Sequence, residues 1–201
     1  MLIGVIDTKA CNLNSVLEAL KRLDAQVLVS SSAADLQRVD KLILPGVGTA
    51  QAVMDGIERF KLRDFIVTTK KPLLGICLGM QVQGAASAEV PLNTSVSEIK
   101  TLGIIPDKVQ KIDSHGQRLP HMGWNTVRHN DHPLFAGIAQ DSYFYFVHSY
   151  CLPVGAATIG TTTYGMDFSA AIARDNFMGV QFHPEKSGAV GSKLLANFLT
   201  L

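Results

Sequence analysis

A short apolar strand that runs directly into a Gly-x-Cys-x-Gly turn constrains this chain more than any other feature. Residues 73–76 form an apolar run too short for a helix, and Gly75 and Gly79 lie two residues before and after Cys77. This is the spacing of a nucleophile elbow, where flanking residues without a Cβ let the chain bend sharply and expose the central side chain. The stretch therefore predicts a strand, a tight turn and a helix that begins at about Leu78.

Two interpretations of Cys77 remain open at this point. At the start of a helix, free N–H groups and the positive end of the helix dipole would face the sulfur, favour the thiolate and make it a nucleophile. A buried structural cysteine beside turn glycines is the alternative, since free cysteine is among the most buried residue types.

Short apolar strands alternate with amphipathic helical patterns through the first half of the chain. Strands are predicted at 2–6, 27–29, 42–44 and 73–76, and helical patterns at 16–23, 33–39, 53–67 and 80–88, with Asn12, Asn14 and Ser15 as candidate caps. Such alternation indicates a parallel sheet with helices on both faces and ligands at the carboxyl ends of the strands.

The second half of the chain has a more β-like pattern. Its aromatic and β-branched stretches predict strands at 102–112, 118–127, 143–150, 156–163, 170–173 and 177–182, followed by a helix at 192–201. The predicted fold class is α/β, with a mostly parallel central sheet flanked by helices and an additional antiparallel flap. We expect one domain over residues 1–201.

Composition excludes several classes of function. The chain has 201 residues, 47% of them hydrophobic and 17% charged, and a net charge of +1, so no basic surface for nucleic acid or anionic membrane is predicted.

The cysteines and histidines predict neither disulfides nor a metal site. The three cysteines, Cys11, Cys77 and Cys151, are an odd number at wide spacings, which favours neither a disulfide framework nor a metal site and suits a cytoplasmic protein. His129 and His132 lie in a polar turn without a third ligand, so we predict no metal and no cofactor. The N-terminus lacks a signal-peptide or membrane-span pattern.

Two further segments fall where strands should end. Pro45 to Gly48 follows the third strand, and its glycines allow backbone N–H groups to face a ligand, although an ordinary turn has the same composition. His183 follows the last buried run, and Glu185 lies two residues on. If the chain stays extended through Pro184, the carboxylate can orient the imidazole while the other ring nitrogen faces the thiol. A turn that merely ends the strand is the alternative.

Together these segments resemble the class I (triad) glutamine amidotransferases. Gly75-Ile76-Cys77-Leu78-Gly79-Met80-Gln81 and Phe182-His183-Pro184-Glu185 are similar to motifs of the whole superfamily. Four segments are also similar to one family within it, the glutaminase subunits of imidazole glycerol phosphate synthases. They are Pro45-Gly46-Val47-Gly48, Pro120-His121-Met122-Gly123-Trp124-Asn125, Tyr145-Phe146-Val147-His148-Ser149-Tyr150 and His183-Pro184-Glu185-Lys186-Ser187-Gly188.

The resemblance implies a role for each matching residue. Cys77 would attack the side-chain amide of L-glutamine, His183 would carry the proton, and Glu185 would hold His183. Backbone N–H groups of Val47 and Leu78 would bind the oxyanion. The residues that would bind the substrate are Gly46, Gly48, Gln81, Glu89, Ser149 and Tyr150.

The resemblance also implies a partner, a (β/α)8-barrel cyclase subunit that forms a heterodimer with this chain, receives the ammonia through a channel and makes imidazole glycerol phosphate. Asn12, Trp124 and Lys186 match positions at or near that interface. The Thr8 to Asn12 loop lacks the glycines common there in the family, and Ala86-Ser87-Ala88-Glu89 carries one acid where a Glu pair is frequent. A glutaminase serving another synthase, such as aminodeoxychorismate or carbamoyl phosphate synthesis, and a binding module without chemistry are the alternatives.

Overall fold

A computed structural model describes residues 1–10, 13–91 and 94–201 of the chain. The strands are β1 (Leu2–Ile6), β2 (Gln26–Ser30), β3 (Lys41–Gly46), β4 (Leu73–Cys77), β5 (Ala86–Ser87), β6 (Ile99–Lys100), β7 (Gln110–Lys111), β8 (His121–His129), β9 (Ser142–His148), β10 (Tyr150–Cys151), β11 (Thr158–Tyr164), β12 (Met166–Arg174) and β13 (Phe177–Val180). The α-helices are α1 (Asn14–Lys21), α2 (Ala33–Leu36), α3 (Ala50–Arg59), α4 (Arg63–Thr68), α5 (Leu78–Gln81) and α6 (Gly188–Thr200), with 3-10 turns at Pro133–Phe135 and Pro184–Lys186.

In the described part of the chain, nine strands form one mixed sheet in the order β2-β1-β3-β4-β13-β12-β11-β8-β9. The five strands from β2 to β13 run parallel to their neighbours, and the remaining four pair antiparallel. The predicted fold class is confirmed. The antiparallel part continues the same sheet, with two short ladders, β7 with β10 and β5 with β6, beside it.

The central strands are apolar along their length because helices cover both faces of the parallel half. Ile43 of β3 packs in one core cluster with Leu20 of α1 and Phe198 of α6. Its neighbour Leu44 packs in the opposite cluster with Ile57 of α3. Adjacent residues of one strand thus serve two cores, as the alternation of side chains along a strand requires.

Two predicted elements are wrong, and the same packing explains both. The helix predicted over 80–88 ends after one turn, at Gln81, and the strand predicted over 102–112 is reduced to β7. The backbone of 102–109 instead donates hydrogen bonds to the carbonyls of the chain just after α5, as from Leu102 to Val82 and from Ile105 to Gln83. These irregular bonds satisfy the backbone groups that a longer helix or strand would have paired, and Gly103, at φ 71°, breaks the extended run.

The ends of other predicted elements move by a few residues. The last helix begins at Gly188, earlier than the predicted 192, and β9 ends at His148, so that the predicted strand 143–150 divides into β9 and β10. The N-cap of α1 is Leu13, which makes no side-chain capping bond, and the predicted caps Asn14 and Ser15 lie inside the helix; Asn12 lies outside the described residues. Within the described ranges, no helix is long and apolar enough to cross a membrane.

Candidate active site

Cys77 occupies a strained bend at the carboxyl end of β4. It is the N-cap of α5, with φ 54° and ψ −110°, a left-handed backbone conformation that residues with a side chain rarely adopt. The side chain is almost buried, with 6% of its surface exposed. The predicted strand, turn and helix start are all present, although α5 is one turn long and its dipole is correspondingly short.

Glycines around the bend are required by the close approach of three segments. A Cβ on Gly79 would overlap the Leu44 carbonyl oxygen of β3, and one on Gly75 would overlap the Gly79 carbonyl oxygen. Gly46 pairs with Cys77 in the β3 and β4 register, and a Cβ on Gly46 would lie 2.6 Å from the Gly79 nitrogen. The loop after β3 is therefore pressed directly against the elbow.

His183 and Glu185 form a buried pair at the end of β13. His183 Nδ1 lies 2.7 Å from Glu185 Oε1, and the two side chains are 3% and 4% exposed. The chain between them is a 3-10 turn over Pro184–Lys186, so the predicted extended conformation is wrong while the predicted contact forms. Because Nδ1 faces the carboxylate, Nε2 is the nitrogen left for a reaction, and among the described residues it has no hydrogen-bond partner.

Backbone contacts fix this pair against β9. The His183 amide donates to the Tyr145 carbonyl at 2.9 Å. Ser187 Oγ donates to the His183 carbonyl at 2.7 Å and accepts from the Tyr145 amide at 3.0 Å. The imidazole is thus held by an antiparallel strand as well as by the parallel strand that carries it.

The electrostatic environment of His183 favours its protonated form. Burial lowers the pKa of His183, but the nearby Cys77 and the hydrogen-bonded Glu185 carboxylate outweigh burial and raise the pKa to about 10. Cys77 and His183 also line the same cavity, and the carboxylate lies on the Nδ1 side of the ring. This is the order nucleophile, base and orienting acid that a triad requires.

One cavity of about 340 Å³ brings most of the predicted site together. Its lining includes the predicted residues Val47, Gly48, Cys77, Leu78, Gln81, Glu89, Ser149, Tyr150 and His183. Pro120, Val147 and His148 also line it and were not predicted there. Glu185 lies behind His183, and Gly46, which was predicted to bind the substrate, is not among the lining residues; its lack of a Cβ lets β3 approach the elbow closely.

Glu89 reaches the cavity from a segment outside the main sheet. Its Oε2 accepts a hydrogen bond of 2.8 Å from the Ala50 amide, in the first turn of α3. Burial raises the pKa of Glu89, and the bond from Ala50 opposes that rise. The carboxylate is therefore fixed at the edge of the cavity by the helix start.

Gln81 and Gln181 form a buried amide pair next to the thiol. Gln81 Nε2 donates to the Tyr150 carbonyl at 2.8 Å and to Gln181 Oε1 at 2.9 Å, so both of its donor positions are engaged within the protein. Gln181 Nε2 lies 3.7 Å from Cys77 Sγ. Gln181 was missed by sequence reasoning, although a polar residue in the buried run 177–182 is an irregularity that could have marked it.

Two further histidines are buried next to the Tyr150 wall of the cavity, and one of them, His148, also lines it. His148 Nδ1 donates to the Tyr150 carbonyl at 2.8 Å, which leaves its Nε2 to accept from His121 Nδ1 at 3.0 Å. Burial lowers the pKa of His148 to about 3 and that of His121 to about 4. Both rings are therefore neutral near pH 7 and act as hydrogen-bonding groups that hold the wall.

The predicted interface residues lie on the outer face of β8 and β9 and beside it. Trp124 is 55% exposed, with its ring centroid 6.1 Å from that of Tyr145. Lys186 is exposed, and its Nζ lies 6.0 Å from the Tyr145 ring. Asn12 lies outside the described residues.

Cys151, His129 and His132 have structural surroundings, and Cys11 lies outside the described residues. Cys151 is a free, fully buried thiol, and burial raises its pKa to about 12. His132 caps the turn Pro133–Phe135 by accepting from the Leu134 amide, and His129 bonds to nearby backbone. In the ranges that the structure covers, no group of three or more histidine, cysteine or acidic residues could hold a metal ion.

Comparison with known proteins shows similarity over the whole chain. The family model for class-I glutamine amidotransferases matches residues 4–201. The proteins named imidazole glycerol phosphate synthase subunit HisH from Photorhabdus laumondii and Escherichia coli K12 are each 48% identical, over 100% of both chains. The protein of the same name from Shewanella loihica is 48% identical over 98% of this chain and 89% of its own.

Solved structures show the same fold at lower sequence identity. A structure described as a glutamine amidotransferase gives a TM-score of 0.75 at 16% identity, covering 98% of this chain and 97% of its own. A glutamine amidotransferase from Thermotoga maritima gives a TM-score of 0.63 at 16% identity, covering 96% of this chain and 79% of its own.

Proposed function

Because this chain belongs to the class-I glutamine amidotransferase family, we propose that Cys77, His183 and Glu185 are its catalytic triad and hydrolyse L-glutamine to glutamate and ammonia. The observation that carries the proposal is the arrangement of three groups in one site. A cysteine in a strained elbow and a buried imidazole line one cavity, and a carboxylate 2.7 Å from Nδ1 holds that imidazole.

The proposed reaction has two steps on one sulfur. The Cys77 thiolate attacks the side-chain amide carbon of glutamine, and protonated His183 gives its proton to the departing nitrogen, which leaves as ammonia. This forms a γ-glutamyl thioester. Neutral His183 then removes a proton from water, whose oxygen attacks the thioester carbon, and glutamate leaves as the thiolate and imidazolium are restored. Glu185 keeps Nε2 directed at the reacting atoms throughout.

Each addition places negative charge on the former carbonyl oxygen of the substrate. We assign its binding to the backbone N–H groups of Leu78, at the elbow, and Val47, in the loop pressed against it. Donors of this kind contribute about 3 kcal/mol each to transition-state stabilisation in related acyl transfer. The close packing of Gly46 on Gly79 supports the assignment because it brings the two segments together.

We propose that the walls of the cavity bind the backbone groups of the substrate L-glutamine. Glu89 is placed to bind the α-ammonium group by charge. Gly48, Gln81, Ser149 and Tyr150 supply the remaining surface. Since both donor positions of Gln81 are engaged within the protein, we expect Gln81 to shape the pocket chiefly by holding the Tyr150 carbonyl.

The triad is tested by measuring glutamate released from glutamine. The Cys77→Ala variant should lose hydrolysis, while Cys151→Ala, which removes a buried thiol away from the cavity lining, should keep it. Hydrolysis that persists without the Cys77 sulfur would reject the proposed nucleophile.

We also propose that the ammonia passes to a cyclase partner with a (β/α)8-barrel fold, which makes imidazole glycerol phosphate and aminoimidazole carboxamide ribotide in histidine biosynthesis. The relatives' names support this destination. An exposed apolar face gives it a physical basis. Strand pairing places Met122 opposite Val147 and Trp124 opposite Tyr145, and Met122 and Trp124 are more than half exposed.

The partner is tested by mixing the chain with candidate synthase subunits. We expect the chain to form a heterodimer with the cyclase barrel. We also expect its glutaminase activity to rise when the cyclase and its nucleotide ligand are present. Binding to a chorismate-type or carbamoyl-phosphate-type synthase instead would support the alternative destination. The free buried thiols Cys77 and Cys151 suit the reducing cytoplasm, where we expect the complex to act.

A further inference from the structure

Gln181 is a fully buried polar side chain that the proposed triad does not use. It follows the last residue of β13, its backbone amide donates to the Ala170 carbonyl at 2.8 Å, and none of its surface is exposed. A buried amide is costly unless its atoms are bonded, so the partners of its two polar atoms define its role.

A fixed backbone carbonyl determines which way both glutamine amides point. The Tyr150 carbonyl can only accept, so the Gln81 atom 2.8 Å from it must be the nitrogen. That nitrogen also lies 2.9 Å from Gln181, whose nearest atom must then be the oxygen. The Gln181 nitrogen is therefore the atom that faces Cys77. His148 Nδ1 also donates to the Tyr150 carbonyl, at 2.8 Å, and helps to hold it in place.

Besides the His183 imidazole, two polar groups of opposite kind lie near the sulfur of Cys77. The Val147 carbonyl oxygen, at 4.0 Å, can interact favourably only with the protonated thiol. Gln181 Nε2, at 3.7 Å, carries a hydrogen that interacts most strongly with the thiolate. The carbonyl alone would favour the form that cannot attack, so the amide donor opposes it.

We propose that Gln181 is a further catalytic residue, whose side-chain amide donates a hydrogen bond to Cys77 Sγ and stabilises the thiolate. The inference rests on the proposed role of Cys77 as nucleophile. Gln181 keeps both of its protons throughout. The sulfur carries negative charge before it attacks glutamine and again when the thioester is hydrolysed, and it is neutral in between. The donor therefore supports the resting thiolate and its departure in the second step.

The test measures alkylation of Cys77 by iodoacetamide as a function of pH in Gln181→Met and Gln181→Glu. Met removes the donor, and Glu retains an acceptor for Gln81 while replacing the donor. Loss of a hydrogen bond to the charged thiolate should move the midpoint of the alkylation profile upward by about one pH unit in both variants. The other titratable groups that share the cavity with the sulfur include His183, which Glu185 holds, Glu89, and His148, which stays neutral over this range.

Gln83→Met is the matched control. Gln83 is equally buried, and its nitrogen donates to the Gly79 and Met178 carbonyls without a bond to the sulfur. Its alkylation midpoint should equal that of the wild type, with thermal unfolding recorded for every variant. Unchanged midpoints in folded Gln181 variants overturn the inference. So does failure of both to fold, which would assign Gln181 to the core.

Alkylation does not depend on glutamine turnover, so the two proposals fail differently. A wild-type protein that releases no glutamate would reject the proposed reaction whatever the alkylation profiles show. Normal glutamate release with superimposed profiles would reject only the role of Gln181.

Discussion

Replacing Glu185 by Gln removes the charge that supports the His183 imidazolium while retaining the shape of the side chain. In the wild type, burial lowers the pKa of His183, but Cys77 and Glu185 together raise it from 6.5 to about 10. The carboxylate is 2.7 Å from Nδ1 and 4% exposed, so water cannot replace it. Loss of one partner from a buried ion pair costs at least about 3 kcal/mol, which corresponds to about two pH units.

The sign of the effect follows from the proton that His183 must supply. Protonated His183 is needed when ammonia leaves, so activity declines as pH rises through the His183 pKa. With that pKa lowered from about 10 by about two units, the alkaline limb of kcat/KM should move to about pH 8. At pH 9 the variant should be about tenfold slower from protonation alone, and loss of ring orientation should lower its activity at every pH.

The assay is glutamate release between pH 6 and pH 10, in the presence of the cyclase partner. Glu98→Gln is the control, since Glu98 forms an exposed ion pair with Lys108 and should leave the profile unchanged. An alkaline limb that stays at the wild-type position in Glu185→Gln would refute the role given to the carboxylate.

Three further perturbations have outcomes fixed by the geometry. Gly79→Ala should destabilise the protein by more than about 3 kcal/mol, or prevent folding, because the new methyl group overlaps the Leu44 carbonyl; thermal unfolding measures this, and a stable variant would contradict the described packing. Glu89→Gln should raise KM for glutamine about tenfold with a smaller effect on kcat, from loss of a charge-assisted bond to the ammonium group; an unchanged KM would remove Glu89 from the site. Trp124→Ala should weaken binding of the cyclase barrel by about 2 kcal/mol in a titration and leave thermal stability unchanged, since the ring is 55% exposed; unaltered affinity would place the interface elsewhere.

The sequence alone predicts those parts of the fold that local patterns determine. Apolar runs with helices between them identify the parallel half of the sheet, and the spacing about Cys77 predicts the elbow because only glycine fits at Gly75 and Gly79. The contact of His183 with Glu185 was predicted from an extended chain and forms across a 3-10 turn, since the turn also brings the two side chains together.

Other features depend on contacts between distant segments and are not visible in any local pattern. The apolar run 102–112 resembles a strand, yet it packs on the chain after α5 and pairs there irregularly. Gln181 shows the same limit, because its importance comes from Gln81 and Tyr150, which are far from it in the chain. Polar residues in buried runs are the signal that would find such positions.

The central claim is that the Cys77 sulfur forms a covalent γ-glutamyl thioester during glutamine hydrolysis. Its most direct test is mass spectrometry of protein quenched in acid during turnover, followed by peptide mapping. The account predicts a γ-glutamyl adduct on the peptide that contains Cys77, and none in Cys77→Ala. Glutamate release with no adduct at Cys77, or with the adduct on Cys151, would contradict it.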